Sequence, residues 1–231
     1  MAQAQTGMNK FYLVLGGVAV IGVGALLYLM GKPKSVSIPV DVTVQTADTA
    51  GFRGYLLGSD TAKVEVTEYA DYQCPVCQDF ETIQFPTVRQ QLIETGLVRW
   101  RYRDFPLDMH PHSRVAAHAA ACADEQGKFR EMHDALYRNQ AQWSPMRNAA
   151  GAFSDYAKAA GVDGAKYDAC MSSAKYAGRI KASFDEAVKL GAKGTPNFVI
   201  GGRLYQTTMP SDSIRAIVMR ALTAAAPAPA Q

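Results

Sequence analysis

The 231-residue sequence predicts an α/β fold, and three stretches of it carry the prediction. Val64-Glu65-Val66-Thr67-Glu68-Tyr69 is β-branched and aromatic enough for a strand, and a short loop leads from it to a helix start marked by Pro75. Residues 97–104 alternate Val98, Trp100 and Tyr102 against Arg99, Arg101 and Arg103, the period of a half-buried strand, which closes a β-α-β unit. After a helical block of about eighty residues come Phe198-Val199-Ile200, the turn Gly201-Gly202, Arg203-Leu204-Tyr205 and an amphipathic helix over 211–223 opened by Ser211.

Taken from the N-terminus, residues 1–10 form a short leading segment before twenty residues, Phe11 to Met30, that carry no charge. That length crosses the hydrocarbon core of a bilayer as one helix. The run ends in Leu29-Met30-Gly31-Lys32 without a small-x-small cleavage pattern, so an uncleaved anchor is expected rather than a signal peptide. Lys10 and the terminal amine balance Lys32 and Lys34, which leaves the positive-inside rule nearly silent on orientation. Residues 31–51 read as a tether reaching about 25 Å as a flexible coil, with room for a short strand in 36–44. Residues 224–231, rich in Ala and Pro, read as a disordered tail.

Between these ends the helix begun near Cys74 continues through Phe80 until Pro86 breaks or restarts it before Gly96. Helices follow over 113–125, 128–140, 153–160, 164–172 and 176–190, punctuated by Gly127, Gly151 and Gly161. An apolar content of 48% with 19% charged residues is ordinary for a globular chain. A net charge of +3 with evenly spread Lys and Arg argues against a nucleic-acid partner.

The chemistry is concentrated in four cysteines, Cys74, Cys77, Cys122 and Cys170; an even count suits an oxidising compartment on the periplasmic or extracellular side. Cys74-Pro75-Val76-Cys77 places two thiols one turn apart at a helix N-terminus, where orphan N–H groups and the helix dipole favour an anion on the first sulfur. Cys74 is therefore the expected nucleophile and Cys77, one turn inside, the resolving thiol. Half of a zinc site and a purely structural disulfide are the alternatives for an isolated Cys-x-x-Cys.

The stretch Val66-Thr67-Glu68-Tyr69-Ala70-Asp71-Tyr72-Gln73-Cys74-Pro75-Val76-Cys77 resembles the active-site region of DsbA-like thioredoxin-fold oxidoreductases. Arg103-Asp104-Phe105-Pro106-Leu107, the Ala-rich helix before Glu125-Gln126-Gly127-Lys128-Phe129, and Gly194-Thr195-Pro196-Asn197-Phe198 are similar in order and spacing, so the resemblance covers Phe52 to Leu222. It implies a thioredoxin fold, 52–109 with 191–223, holding an inserted helical domain, 110–190, and preceded by the transmembrane helix 11–30. It also implies a cis Thr195–Pro196 bond facing the cysteine pair, with Thr195, Pro196, Pro75 and Val76 meeting an extended substrate. Glu68, six residues before Cys74, lies beneath the active helix near Cys77 if its side chain points inward; an acid at this position in the family exchanges the proton of the buried thiol. A Glu68 facing solvent from an edge strand is the alternative.

Cys122 and Cys170, forty-eight residues apart in the helical block, read as a structural disulfide, with two free core thiols as the alternative. A metal site joining them to His118 lacks an evident fourth ligand, and none is expected. His110, His112 and His133 read as loop or surface residues, His110 near the site, and the three strand arginines as a solvated face.

The expected activity is that of an anchored, monomeric dithiol oxidase. It needs no cofactor beyond its own Cys74–Cys77 disulfide, acts on reduced or misoxidised exported proteins, and is reset by a membrane redox partner. A reductase or isomerase uses the same pair; a different class is a tethered peptide- or metal-binding module in which the pair is a static clip.

Overall fold

The computed structural model describes residues 2–30, with side chains from 12 to 26, and residues 35–224. The first unit is one helix, α1 (Ala2–Met30), whose described side chains are all exposed. The expected anchor, residues 11–30, runs past those side chains at both ends; among the described residues no helix is long and apolar enough to cross a membrane. The tail expected at 224–231 lies outside the described residues but for Ala224.

The second unit begins at Val36. Its chain order is α2 (Thr46–Thr49), β1 (Tyr55–Leu57), β2 (Val64–Ala70), α3 (Pro75–Asp79), α4 (Phe85–Val88), β3 (Val98–Asp104), α5 (Ser113–Asp124), α6 (Phe129–Arg138) and α7 (Gln140–Trp143). Then follow α8 (Ala150–Ala159), α9 (Gly164–Ser173), α10 (Ala177–Lys189), β4 (Asn197–Ile200), β5 (Arg203–Tyr205) and α11 (Ser211–Ala224).

The five strands form one sheet in the order β1-β3-β2-β4-β5. β2 runs parallel to β3, from Val64 opposite Val98 to Ala70 opposite Asp104, and antiparallel to β4. A strand paired on both edges and covered on both faces carries an almost unbroken apolar or satisfied sequence, as β2 does. Its last residue therefore delivers the chain to the C-terminal end of the central strand, just before α3 begins.

One sheet face carries Val66, Glu68, Trp100, Phe198 and Ile200, packed with Phe80, Phe85, Ile214 and Val218 from the helices above it. Trp100 stacks on Phe80 at 6.1 Å and meets Phe85 edge-on at 5.3 Å. The helix over this face keeps an uninterrupted path from Pro75 to Ile93, but Phe80–Gln84 and Arg89–Ile93 are wound as π-helix. Pro86, at the second position of α4, neither breaks nor restarts this path; it follows directly on the first π-helical segment.

The opposite face is not solvated, contrary to the expectation for the three arginines. Glu186 of α10 pairs with Arg101 at 3.0 Å and with Arg103, and it accepts a hydrogen bond from the Tyr69 hydroxyl. Arg99 is held by Glu65 at 2.7 Å. The charges of Arg101 and Arg103 meet a carboxylate on a helix 85 and 83 residues downstream in sequence, a partner that strand periodicity does not reveal.

The helical block is built around α5, where Ala116, Ala117, Ala119, Ala120, Ala121 and Ala123 are all buried. Side chains this small allow a helix to be enclosed on every side, by α6, α8, α9 and α10. Cys122 and Cys170 are joined in a disulfide that ties α5 to α9.

The stretch expected as a free tether touches the helical block at separate points although most of its described residues are exposed, and no strand forms over 36–44. Ile38 is buried, and Val36 and Phe52 pack on the helical core. Arg179 lies 4.0 Å from the Phe52 ring, and a Cβ at Gly178 would overlap the Asp48 carboxylate, so glycine is required there for close approach. The apolar residues that dock are single and aperiodic, which is why they read as linker.

The Cys122–Cys170 crosslink closes a loop of 48 residues, for which chain entropy gives about 4 kcal/mol of stabilisation. Replacing both by Ala should lower the unfolding free energy measured by guanidinium titration by an amount of that order.

Candidate active site

Where β2 ends, Asp71 turns the chain toward the helix. Its buried carboxylate accepts hydrogen bonds from Gln73 N at 2.7 Å, Leu107 N at 2.8 Å, His110 Nδ1 at 2.7 Å and the Ser113 hydroxyl. Four donors on one buried carboxylate leave no lone pair uncompensated. Gln73 ties the same loop to the helical block: its Oε1 accepts from His112 N at 2.7 Å and its Nε2 donates to the Ser144 hydroxyl at 3.0 Å. Gln140 Nε2 donates to the carbonyls of Tyr72 and Cys74, at 2.6 and 2.9 Å.

Fixed in this way, Cys74 occupies the N-cap of α3 in an extended conformation, with Pro75 at the first helical position. Its N–H donates to Asp71 O at 3.1 Å, and its carbonyl accepts from Gln78 N at 3.1 Å. Cys74 and Cys77 are free thiols, both buried, whereas Pro75 and Val76 between them are exposed. Opposite, the Thr195–Pro196 bond is cis, and the Thr195 carbonyl lies 3.5 Å from Cys74 Sγ, placed to accept from the thiol.

The two sulfurs differ sharply. A hydrogen bond from the Cys77 thiol brings the Cys74 pKa down to about 6 against the opposing effect of burial; the Thr195 hydroxyl and the N–H groups of Cys77 and Val76 add to it. The Thr195 hydroxyl is buried with no hydrogen-bond partner among the described residues, which leaves it free to turn toward the sulfur. Burial pushes the Cys77 thiol well above its ordinary value. His110, oriented by Asp71, is raised chiefly by that hydrogen bond and is near enough to be influenced by Cys74.

Glu68 points inward, away from solvent, and accepts from Trp100 Nε1 at 3.0 Å. Burial, and then the charge of Glu81, push its carboxyl well above the usual range, so it holds a proton far beyond the pH at which an exposed glutamate ionises. For Glu81, burial is outweighed by His133, 3.2 Å away, and by Arg130, which together hold it below the usual value. His133 is a further correction to the sequence reading: it is buried on α6, with Nδ1 3.0 Å from the Tyr72 hydroxyl. Neither Glu81 nor His133 belongs to a motif; the Met132–Leu136 helical spacing gave only the face on which Phe129 and Met132 lie.

The three residues weighed as a metal site in the sequence are engaged with other groups. His118, Cys122 and Cys170 converge, but the two sulfurs are bonded to each other and His118 Nε2 accepts from Tyr176 N at 3.2 Å. Burial brings His118 down to about 4, as for a neutral core imidazole.

A sheet whose central strand feeds a helix capped by the first of two thiols, facing a cis-proline, defines a thioredoxin-type dithiol centre. The chain belongs to the thioredoxin family, whose sequence profile matches residues 53–220. The fold is of the DsbA type: alpha-DsbA1 of Wolbachia pipientis superposes with a TM-score of 0.66 over 74% of this chain and 94% of that one, at 20% identity. A thioredoxin-like oxidoreductase of Silicibacter pomeroyi is 28% identical, with a TM-score of 0.64 over 78% of this chain and 99% of its own. Among curated proteins, a Na(+)/H(+) antiporter NhaA 3 of Salinispora tropica is 35% identical over 75% of this chain; the match spans about a quarter of the antiporter's length, 25%.

Iodoacetamide alkylation of the reduced protein at Cys74 should rise with pH through a midpoint of about 6. Because the leading cause is the Cys77 thiol, Cys77→Ala should move the midpoint up toward that of free cysteine; an unmoved midpoint would exclude that hydrogen bond as the cause.

Proposed function

We propose that the chain is a thiol–disulfide oxidoreductase acting as a dithiol oxidase of exported proteins through Cys74 and Cys77. The observation that carries the reading is the inequality of the two sulfurs: one stabilised as an anion at the helix start, the other buried and held as a thiol. A low thiolate pKa favours the reduced pair over its disulfide, which makes the disulfide a stronger oxidant.

In this reaction a substrate thiolate attacks Cys74 Sγ of the oxidised pair. The Cys74–Cys77 bond breaks, Cys77 leaves as a thiolate and takes a proton from Glu68, and a mixed disulfide remains on Cys74. A second substrate thiolate then attacks the substrate sulfur of that bond, forming the product disulfide and releasing Cys74 as the stabilised anion. The substrate loses two electrons and the pair gains them, to be removed by a membrane redox partner. The Thr195 backbone, beside Cys74, pairs with an extended substrate segment, and the exposed Pro75 and Val76 meet its side chains.

Residues 11–30 anchor the chain as a single span, with the catalytic body on the periplasmic or extracellular side; the uncharged twenty-residue run supports the first point and the Cys122–Cys170 disulfide the second. The working unit is a monomer, and the redox-active disulfide serves in place of a cofactor.

The test is oxidation of reduced ribonuclease A by the oxidised protein. Wild type should oxidise it stoichiometrically, and Cys74→Ser should abolish the reaction; unchanged oxidation by Cys74→Ser would remove the enzyme reading.

A further inference from the structure

The stretch Met109-His110-Pro111-His112 lies between β3 and α5 and takes no part in the thiol exchange. His112 is committed to structure: its backbone N donates to Gln73 Oε1 at 2.7 Å and its Nε2 to the Met146 carbonyl at 2.6 Å. His110 is held by a charge instead. Its Nδ1 lies 2.7 Å from Asp71 Oδ2, and that carboxylate is fully enclosed while the imidazole keeps 16% of its side chain exposed. The surrounding loop is fixed as well, with His110 N donating to Leu107 O at 3.0 Å and Ser113 N to His110 O at 3.1 Å.

Asp71 also holds the reactive residue, since its carbonyl accepts from Cys74 N at 3.1 Å. One residue therefore places the imidazole through its side chain and the cysteine through its backbone. Gln73 N, Leu107 N and the Ser113 hydroxyl already donate to the Asp71 carboxylate, so an uncharged fourth donor would serve the loop as well as a histidine does. What a histidine adds is a charge that comes and goes near neutral pH. With Nδ1–H given to Asp71, the second proton sits on Nε2. The Asp71 hydrogen bond, against burial, and then the charges of Asp71 and Cys74 raise His110 above its ordinary value. Cys74 ionises at about 6, so a pH interval exists in which the sulfur is an anion and the ring a cation.

We propose that His110, clamped by Asp71, is a positioning residue whose imidazolium charge stabilises the Cys74 thiolate, so that reduction of the dithiol creates an anion–cation pair that oxidation abolishes. His110 forms no bond in the exchange. Two substrate thiols supply two electrons, Cys77 keeps one proton, and Cys74 remains an anion; rings that were neutral beside the disulfide then take up a proton from water. The charges that act on the ring are Asp71, after β2, and Cys74, at the start of α3. Asp108 in the same loop is turned to Arg114 of α5 at 2.8 Å.

This inference rests on Cys74 as the reactive thiol of the proposed function, and its test separates the two. Coupling between two charges is reciprocal. The pH midpoint of Cys74 alkylation is measured in reduced wild type, His110→Gln and His110→Lys, and the midpoint of the His110 ring is followed by proton NMR in reduced and oxidised wild type and in Cys74→Ser. Gln keeps a donor for Asp71 without the charge; it should raise the Cys74 midpoint by about half a unit to one unit and slow alkylation about two- to fivefold at about pH 6. Lys restores the charge and should keep the midpoint near that of wild type. The His110 midpoint should fall by the same amount when Cys74 is oxidised or replaced by serine. A His110 midpoint equal in the reduced and oxidised wild type would overturn the proposal, and this comparison needs no variant to fold. Gln and Lys variants shifted alike, or neither shifted from wild type, would make His110 merely structural and overturn it too. If the His110 midpoint follows the oxidation state but the oxidised protein leaves reduced ribonuclease A unchanged, the charge pairing stands and the oxidase reading fails.

Discussion

The sulfur of Cys74 is fixed at the first turn of a helix whose start cannot shift, and every other feature of the site follows from that constraint. Asp71 receives four donors and holds the loop; Gln73 and Gln140 bind it to the helical block; Pro75 sets the first helical residue. An anion placed there meets N–H groups that have no helical partner to lose. The same rigidity prevents Cys77, one turn inside, from reaching solvent, so one structural decision makes the two thiols unequal.

The sheet and the helical block build the centre together. β2 and β3 supply Glu68 and Trp100, the helical run supplies both cysteines and Glu81, and α6 closes the rear with Arg130, His133 and Tyr137. A fold of this type without the block would still present a Cys-x-x-Cys at a helix start. It would lack the hydrogen bonds from Gln140 to the Tyr72 and Cys74 carbonyls and the groups that hold Glu81 ionised. The block thus acts on the chemistry through electrostatics and orientation, and not only as a surface near the thiols.

What the sequence made legible was local. The alternation of Val98, Trp100 and Tyr102 located β3, Pro75 located the start of α3, and Ser211 the start of α11, because each signal lies within a few residues of its effect. What escaped was nonlocal. Arg101 and Arg103 read as solvated because their partner, Glu186, lies on a helix more than eighty residues away. His133 read as surface because nothing in α6 marks which polar residue faces a buried carboxylate. Ile38 read as linker because a single docked isoleucine has no period. The short β1 was missed for a similar reason: three residues on an edge carry too little pattern.

The most direct measurement of the central claim is the reduction potential of the Cys74–Cys77 pair, determined by equilibration with glutathione buffers. Stabilisation of the Cys74 anion in the reduced state requires a potential more oxidising than the roughly −270 mV of thioredoxin and short of the roughly −120 mV of the strongest oxidants of this fold. A potential at or below that of thioredoxin would contradict the account, since the Cys77 thiol and the N–H groups of the helix start would then confer no advantage on the reduced sulfur.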